Sequence, residues 1–216
     1  MIITVGGMIG LGKSSVAKIL GEAFGTEVFY EKVEGNRVLE KFYTASEEEI
    51  QAKRYPFLLQ LEFLSSRFRS IKKALVHDNN VLDRSIFEDI YFAERNNQLG
   101  RISDLELELY REISVEMLEE LDGFPKKRPD LMVYLTGSFD TVLSRIHKRG
   151  RDYELDPDLV EYYRFIWEGY DEWVNNCYDA SQVITIDMDK FDIVNNPEDA
   201  EVVISMVKEK LNEIRG

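Results

Sequence analysis

The stretch Gly7-Met8-Ile9-Gly10-Leu11-Gly12-Lys13-Ser14 decides the fold, because it fits the pattern G-x-x-x-x-G-K-S/T. It follows residues 2–5, whose β-branched side chains predict a buried strand, and it opens a helix predicted over residues 13–24. Glycines let the backbone wrap with its N–H groups pointing inward, and a helix N-terminus adds partial positive charge. The pattern therefore predicts a nucleotide phosphate site, with Lys13 on the β- and γ-phosphates and Ser14 on Mg²⁺.

Strand-like and helical segments alternate along the rest of the chain. The predicted strands are residues 2–5, 28–30, 81–82, 131–136 and 182–187. The predicted helices are residues 13–24, 56–76, 86–97, 104–121, 140–149, 157–178 and 197–214. This alternation predicts an α/β fold with a central five-stranded parallel sheet flanked by helices, in one domain over residues 1–216. Ligands of such sheets bind at the carboxyl ends of strands, which singles out Gly6-Gly7, Glu31 and Asp83.

Composition narrows the class of protein. With 27 basic and 41 acidic residues, the net charge of −14 repels nucleic-acid phosphates, so we expect no nucleic-acid partner. One cysteine and two histidines disfavour a disulfide framework, a cysteine-rich zinc site and histidine-based metal catalysis. A general base is therefore expected to be a carboxylate. The chain has no charged leader segment and no long apolar run, so we expect a cytoplasmic protein without a membrane span.

Two further segments indicate which phosphate-loop protein this is. The guanine-reading tetrapeptide Asn-Lys-x-Asp is absent, and the chain is short for an ATPase motor. Asp83-Arg84-Ser85 ends the third predicted strand, and residues 145–151 carry four Arg or Lys side chains and no acid. Such a cluster suits a phosphoryl-transfer transition state, although it also suits a solvated helix end whose cations offset the helix dipole. Combined with the phosphate loop, it favours a small-molecule kinase with an arginine-rich lid at about residues 145–156.

The whole chain resembles the deoxynucleoside kinase family, especially its bacterial deoxyadenosine/deoxyguanosine kinase branch. The resemblance rests on the phosphate loop and on segments 29–36, 57–69, 83–89 and 149–154, which occur in the family's order. It implies a P-loop kinase fold, Mg²⁺ with ATP as phosphate donor, and 5′-phosphorylation of a deoxynucleoside in nucleotide salvage. It also implies a homodimer joined through the helices at residues 86–98 and 104–121.

The resemblance implies roles for individual residues in phosphate transfer. Glu31 is implied as the general base for the nucleoside 5′-hydroxyl, and Arg84 as the arginine beside that hydroxyl and the transferred phosphate. Asp83 is implied to join Ser14 at the metal. The arginines implied to close on the phosphates are Arg145, Arg149 and Arg151. The implied ATP site comprises Gly7, Met8, Ile9, Gly10, Leu11, Gly12, Lys13, Ser14, Ser15, Asp189, Lys190 and Phe191.

A second implied set binds the nucleoside. Gln60 would pair with the base, and the pair Arg67 and Asp89 would read its edge, unless that pair is a purely structural ion pair. Gln60 and Arg67 are seven residues apart, so they share one helix face with Phe57 and Leu64. The full set is Glu31, Tyr43, Gln60, Arg67, Arg84, Asp89, Phe92 and Glu154, with Tyr43 and Glu154 at the sugar 3′-hydroxyl. The trio Gln60, Arg67 and Asp89 favours deoxyadenosine, with deoxyguanosine and deoxycytidine open.

Two alternatives remain open. A nucleoside monophosphate kinase shares the phosphate loop, sheet and lid, and needs an arginine clamp for which Arg67 and Arg69 are candidates. A catalytically silent nucleotide-binding regulator would share the fold but would not need Glu31, Asp83 and Arg84.

Overall fold

A computed structural model describes residues 1–76, 79–120 and 128–216. Within them a single five-stranded sheet has the order β2-β3-β1-β4-β5, and every neighbouring pair is parallel. The strands are β1 Ile2–Gly7, β2 Glu27–Phe29, β3 Asn80–Asp83, β4 Leu131–Thr136 and β5 Gln182–Asp187. The predicted α/β fold and its parallel sheet are thereby confirmed.

Helices flank the sheet and carry many of the candidate site residues. They are α1 Lys13–Phe24, α2 Leu39–Thr44, α3 Glu47–Lys53, α4 Tyr55–Ala74, α5 Ile86–Gln98, α6 Asp104–Glu120, α7 Phe139–Arg149, α8 Leu159–Glu168, α9 Tyr170–Asn176 and α10 Pro197–Arg215. A short 3₁₀ turn, Asp152–Glu154, follows α7. The helix predicted over residues 104–121 corresponds to α6, and its predicted last residue, 121, lies outside the described residues. None of the helices described is long and apolar enough to cross a bilayer.

The central strand β1 places the phosphate loop in the middle of the sheet edge. Its side chains are buried along the whole strand, as expected for a parallel sheet covered on both faces. Val5 is in register with Asp83 of β3, and Gly7 is in register with Leu135 of β4. The ends of these three strands therefore converge on the loop that begins at Gly7.

Two short helices, α2 and α3, fill a segment for which the sequence predicted no element. Ser46 caps α3 by accepting a hydrogen bond from the Glu49 N–H at 3.2 Å. Each helix buries only one or two apolar side chains, such as Phe42 and Ile50, so neither shows a readable helical period. Their packing against the rest of the chain decides their presence, and α2 brings Tyr43 to the site.

The prediction of a single helix over residues 157–178 was wrong, because the helix is interrupted at Gly169, which separates α8 from α9. Two side chains of α5 take the last carbonyls of α8: the Tyr91 hydroxyl donates to Ile166 O, and Arg95 donates to Phe165 O. A Cβ atom at Gly169 would lie 3.0 Å from the Tyr91 hydroxyl, so a larger residue at position 169 would displace the Tyr91 side chain. Tyr170, the first residue of α9, is buried.

Candidate active site

The phosphate loop has the conformation that its glycines allow. Gly7 has φ 138°, and a Cβ atom there would lie 2.5 Å from Leu135 O, so only glycine lets β1 pass so close to β4. Gly12, with φ 88°, precedes the first turn of α1. Lys13 curls back over the loop, and its Nζ donates to Met8 O at 2.9 Å. The helix N-terminus and this ammonium therefore face the same space.

Lys13 lies in an environment that disfavours its charge. Its surface is only 8% exposed. Burial, and after it the Arg84 guanidinium, lowers the pKa of Lys13 to about 7, although the carboxylates of Glu31 and Asp83 act in the opposite direction. A bound polyphosphate would supply the missing negative charge.

We expect ATP binding at pH 8 to take up most of one proton. At that pH Lys13, with a pKa of about 7, is largely neutral in the free protein, and the phosphates of a bound nucleotide restore its charge. Calorimetric titrations in buffers of different ionisation enthalpy measure this uptake, which should fade at pH 6. Lys13→Met is the control and should show no uptake. Equal binding heats in all buffers at pH 8 would contradict the assignment.

Ser14 and Asp83 form the corner predicted to hold a metal. Ser14 Oγ donates to Asp83 Oδ2 at 2.5 Å, whereas Asp83 Oδ1 is buried without a hydrogen-bond partner among the described residues. Burial, and after it the charge of Glu31, raises the pKa of Asp83. A buried carboxylate oxygen without a partner is costly, and a hard cation with oxygen ligands relieves that cost. The residues present therefore fit Mg²⁺.

Glu31 lies in a cluster of two buried arginines. Its Oε1 is 2.7 Å from Arg67 Nη2 and 3.2 Å from Arg84 Nε, while the side chain is 20% exposed. Burial alone would raise the pKa of Glu31, but the charges of Arg84, Arg67 and Lys13 outweigh it and lower the pKa to about 2. Both arginine contacts use Oε1, which leaves Oε2 as the oxygen available to a ligand.

Two cavities meet at Glu31. The inner cavity is lined by residues of α2, α4 and the phosphate loop, together with Arg84 and the end of the lid. The outer cavity is larger and open, and it is lined by the phosphate loop, Asp83 and the residues after β5. Five residues line both, and we call them the junction: Lys13, Glu31, Val33, Arg149 and Arg151. A group passing from a ligand in one cavity to a ligand in the other would pass the junction.

The inner cavity collects most of the predicted nucleoside-binding residues. Glu31, Tyr43, Gln60, Arg84, Asp89, Phe92 and Glu154 line it. Arg67 does not; it lies behind Asp89, with Arg67 Nε 2.6 Å from Asp89 Oδ2, and also pairs with Glu31. Arg67 therefore connects a candidate base-reading carboxylate with the candidate general base.

Sequence reasoning missed part of the cavity wall. Helix α4 turns Leu59, Gln60 and Phe63 to the cavity, whereas Phe57 and Leu64 pack in a separate apolar cluster. Phe63 lies between Gln60 and Arg67 at helical spacing, so the period could have identified it. Ile9 of the phosphate loop also lines this cavity, although it is predicted for the ATP site. The other missed lining residues, which no local motif marks, are Val33, Leu39, Phe42 and Tyr162.

The predicted lid arginines divide into two groups. Arg149 and Arg151 both pair with the buried carboxylate of Glu154, with Arg151 Nη1 3.2 Å from Glu154 Oε1. Arg145 instead donates to two backbone carbonyls, Leu11 O and Met188 O, each at 3.0 Å. Arg145 thus ties the phosphate loop to the segment after β5, while the other two arginines stand at the junction.

Asp189, Lys190 and Phe191 line the outer cavity as predicted for a donor site, but two of their side chains have internal partners. Asp189 Oδ2 accepts from the Ser138 N–H at 2.8 Å, and Lys190 pairs with Asp187 at 2.8 Å. Because Asp189 and Lys190 are already paired in this way, they form part of the cavity wall rather than free polar groups for a ligand.

Comparison with known proteins gives consistent matches over the whole chain. A family model described as deoxynucleoside kinase matches residues 3–212. A deoxyguanosine kinase of Lactobacillus johnsonii is 46% identical over 99% of this chain and 93% of the relative. A deoxyadenosine kinase of Lactobacillus acidophilus is 40% identical over 99% of this chain and 97% of the relative. The solved structure of a deoxyadenosine kinase from M. mycoides with bound dATP is 26% identical with a TM-score of 0.79, covering 96% of this chain and 100% of that one.

Proposed function

The chain belongs to the deoxynucleoside kinase family and has its P-loop kinase fold, and from that premise we propose that it uses Mg²⁺ and ATP to phosphorylate the 5′-hydroxyl of a purine deoxynucleoside. The observation that carries the proposal is the junction, where a carboxylate and three cations separate a cavity lined by Gln60, Asp89 and Glu154 from a phosphate loop. The reaction would serve nucleotide salvage in the cytoplasm, where ATP is available.

The inner cavity supports a base with an exocyclic amine. Asp89 can accept a hydrogen bond from such an amine, and the Gln60 amide can both donate and accept. Burial raises the pKa of Asp89 to about 6 against the influence of Arg67, so the carboxylate is still mostly ionised at neutral pH. Adenine, guanine and cytosine carry an exocyclic amine and thymine does not. The relatives named above are kinases of deoxyguanosine and deoxyadenosine, which supports a purine.

Tyr43 and Glu154 would hold the sugar. Both line the inner cavity, and the Tyr43 ring stacks on Tyr153 with 5.9 Å between centroids. Glu154 also pairs with Arg149 and Arg151, so a sugar hydroxyl at Glu154 would lie next to the cations that meet the phosphates. This arrangement supports a sugar at the lid side of the cavity and a base at the α4 side.

In the proposed reaction the oxygen of the nucleoside 5′-hydroxyl bonds to the γ-phosphorus of ATP, and Glu31 receives the proton of that hydroxyl. The bond between the γ-phosphorus and the oxygen that bridges it to the β-phosphate breaks, and ADP leaves. Its low pKa keeps Glu31 ionised and makes it a weak base, which suffices because positioning and charge dominate phosphoryl transfer. Arg84 holds Glu31 and would meet the attacking oxygen. Lys13, Arg149 and Arg151 would neutralise charge on the transferred group.

Ser14 and Asp83 would hold the metal, which would offset phosphate charge when bound. On the donor side, Gly10 and Gly12 of the phosphate loop line the outer cavity, together with Ser15. Arg145, Asp189, Lys190 and Phe191 would form the wall for the nucleotide base of ATP. The partners of Arg145 are backbone carbonyls, so we propose that Arg145 shapes this wall without moving with the lid.

The alternative of a nucleoside monophosphate kinase finds little support. Its acceptor phosphate would need Arg67 or Arg69, but Arg67 is paired with Asp89 and Glu31, and Arg69 is exposed beside Ser65. Neither lines the inner cavity. A silent regulator would have no use for Glu31 and Asp83 in these surroundings.

Incubation with Mg-ATP and each of the four deoxynucleosides tests the proposal. We expect 5′-monophosphates of deoxyadenosine or deoxyguanosine, lower activity on deoxycytidine, and thymidine poorer by about 10²-fold or more because Asp89 would then lack a donor. Deoxyadenosine monophosphate serves as a comparison acceptor. If it is converted to the diphosphate while no deoxynucleoside reacts, the monophosphate kinase alternative is correct.

We also propose a homodimer joined through α6. Leu105 and Leu109, which are 65% and 43% exposed, recur with the exposed Ile113 at four-residue spacing along this helix, between acidic residues. Light scattering should give twice the chain mass of 25.2 kDa, and Leu109→Glu should give the monomer. Val202→Glu, on an exposed position of α10, is the matched control. A wild-type monomer would contradict the proposal.

A further inference from the structure

Glu88, in the first turn of α5, accepts more hydrogen bonds than a capping residue needs. Its side chain is fully buried and lines neither the inner nor the outer cavity. Oε2 accepts from the Ser85 N–H at 2.8 Å and from the Ser85 hydroxyl, which completes a capping box. Oε1 accepts from the Gly7 N–H at 3.0 Å and from the Tyr170 hydroxyl, and lies 3.5 Å from Arg84 Nη1.

These contacts join two parts of the candidate active site through one carboxylate. Gly7 is the last residue of β1 and begins the phosphate loop. Its N–H donates to Glu88, which fixes the position of the start of the loop relative to α5. Arg84 holds Glu31 at 3.2 Å. A chain of contacts therefore runs from the phosphate loop through Glu88 and Arg84 to the proposed general base.

Arg84 needs such support because its backbone is in an unfavourable conformation. Its φ is 73°, in the left-handed region that costs a residue with a side chain free energy. Its N–H donates to Val5 O at 2.9 Å. Its guanidinium lies 4.7 Å from the Phe92 ring centroid and donates to the Tyr170 hydroxyl at 3.2 Å. Strain of this kind persists only where surrounding contacts determine the geometry.

Tyr170, the first residue of α9, reaches Glu88 directly after α8 ends. Near the end of α8, Tyr91 and Arg95 of α5 donate to the carbonyls of Ile166 and Phe165. The Tyr170 hydroxyl can then donate to Glu88 and accept from Arg84. Helix α5 therefore contacts Tyr170 through Glu88 and also contacts the end of the preceding helix α8.

We infer that Glu88 and Tyr170 are positioning residues for phosphoryl transfer, which hold Arg84 and the start of the phosphate loop in fixed relative positions without touching either substrate. This inference rests on the proposed function. Misplacement of reacting groups by a fraction of an ångström to 1 Å lowers turnover steeply. Loss of the Tyr170 hydroxyl should therefore act on turnover and leave substrate binding largely intact.

Tyr170→Phe, compared with Tyr134→Phe, tests the inference. Tyr134 is also buried, stacks on Tyr170 with 5.8 Å between ring centroids, and donates its hydroxyl to the Asp171 carboxylate. Each variant loses one hydroxyl that donates to a carboxylate, but Glu88 is fully buried whereas Asp171 is exposed, so Tyr170→Phe should lower the melting temperature more than Tyr134→Phe. Only Tyr170→Phe should lower kcat, by about 10- to 100-fold, with the KM values for ATP and nucleoside within about twofold of wild type.

The outcomes separate the inference from the proposed function. Wild-type kcat in Tyr170→Phe, or equal kcat losses in the two variants, overturns the inference and leaves the proposed function standing. A wild-type protein that phosphorylates no nucleoside overturns both. Glu88→Gln is a second variant, since it puts an amide donor among five donors. If it folds, its kcat should fall at least as far as that of Tyr170→Phe.

Discussion

Glu31→Gln is expected to fold, to bind nucleoside and ATP, and to lose about 10²- to 10⁴-fold in kcat, the usual contribution of a positioned general base. The amide keeps the shape of the side chain and an oxygen that can accept from Arg67 and Arg84. It cannot take up the proton of the 5′-hydroxyl. Steady-state kinetics with the preferred deoxynucleoside, together with nucleoside binding measured by calorimetry, separate these two effects.

The matched control for this variant is Glu27→Gln. Glu27 lies at the start of β2, the strand that leads to Glu31, but it is exposed and lines neither cavity. It should leave kcat within about twofold of wild type, as is usual for surface substitutions. If Glu31→Gln retains near-normal kcat, Glu31 does not act as the base. If nucleoside binding is lost along with turnover, Glu31 acts chiefly in holding the substrate.

Lys13→Met is expected to reduce kcat/KM for ATP by about 10³-fold, in line with losses seen when a cation at a transferring phosphoryl group is removed. Lys13 is the only lysine among the residues that form the junction. The variant has an unusual second expectation, which is unchanged or higher thermal stability. Burial lowers the pKa of Lys13 to about 7, so the free protein gains little from this charge, and methionine fills the same space.

Lys18→Met is the control, since Lys18 is an exposed residue of the same helix that is 3.9 Å from Glu22. It should leave kcat/KM and the melting temperature close to wild type. A Lys13→Met protein with a sharply lower melting temperature would show that its charge supports the fold, and the kinetic loss would then not measure phosphate binding. Retained kcat/KM would remove Lys13 from the transfer site.

Local patterns predicted the framework well because each depends on residues that are close in sequence. The glycine spacing of the phosphate loop implies backbone angles that only glycine adopts easily, and those angles occur at Gly7, Gly10 and Gly12. The apolar runs of β1, β4 and β5 predicted the strands almost to the residue. The sequence also contained Ser85-x-x-Glu88, a capping-box spacing, but nothing local shows what else Glu88 binds.

Predictions were weaker where the partner of a side chain lies far away in the chain. The resemblance groups Arg145 with Arg149 and Arg151, whereas its guanidinium donates to Leu11 O, which is 134 positions away. Arg67 pairs with Asp89, as expected, but it lies behind Asp89 and does not line the inner cavity as Gln60 does. Periodicity identifies a face of a helix, but it does not say which part of that face reaches a cavity.

By itself, therefore, the sequence determined the α/β fold and the phosphate loop, since backbone preferences and apolar periodicity act over a few neighbouring positions. Most other candidate site residues came from the resemblance to the deoxynucleoside kinase family. Only the tertiary structure decided how these residues are held. Glu88 meets Gly7 and Tyr170 across 81 and 82 positions of chain. Such contacts arise only when whole elements pack together, because residues so far apart in sequence come within hydrogen-bond distance only after the helices and strands that carry them have taken their places.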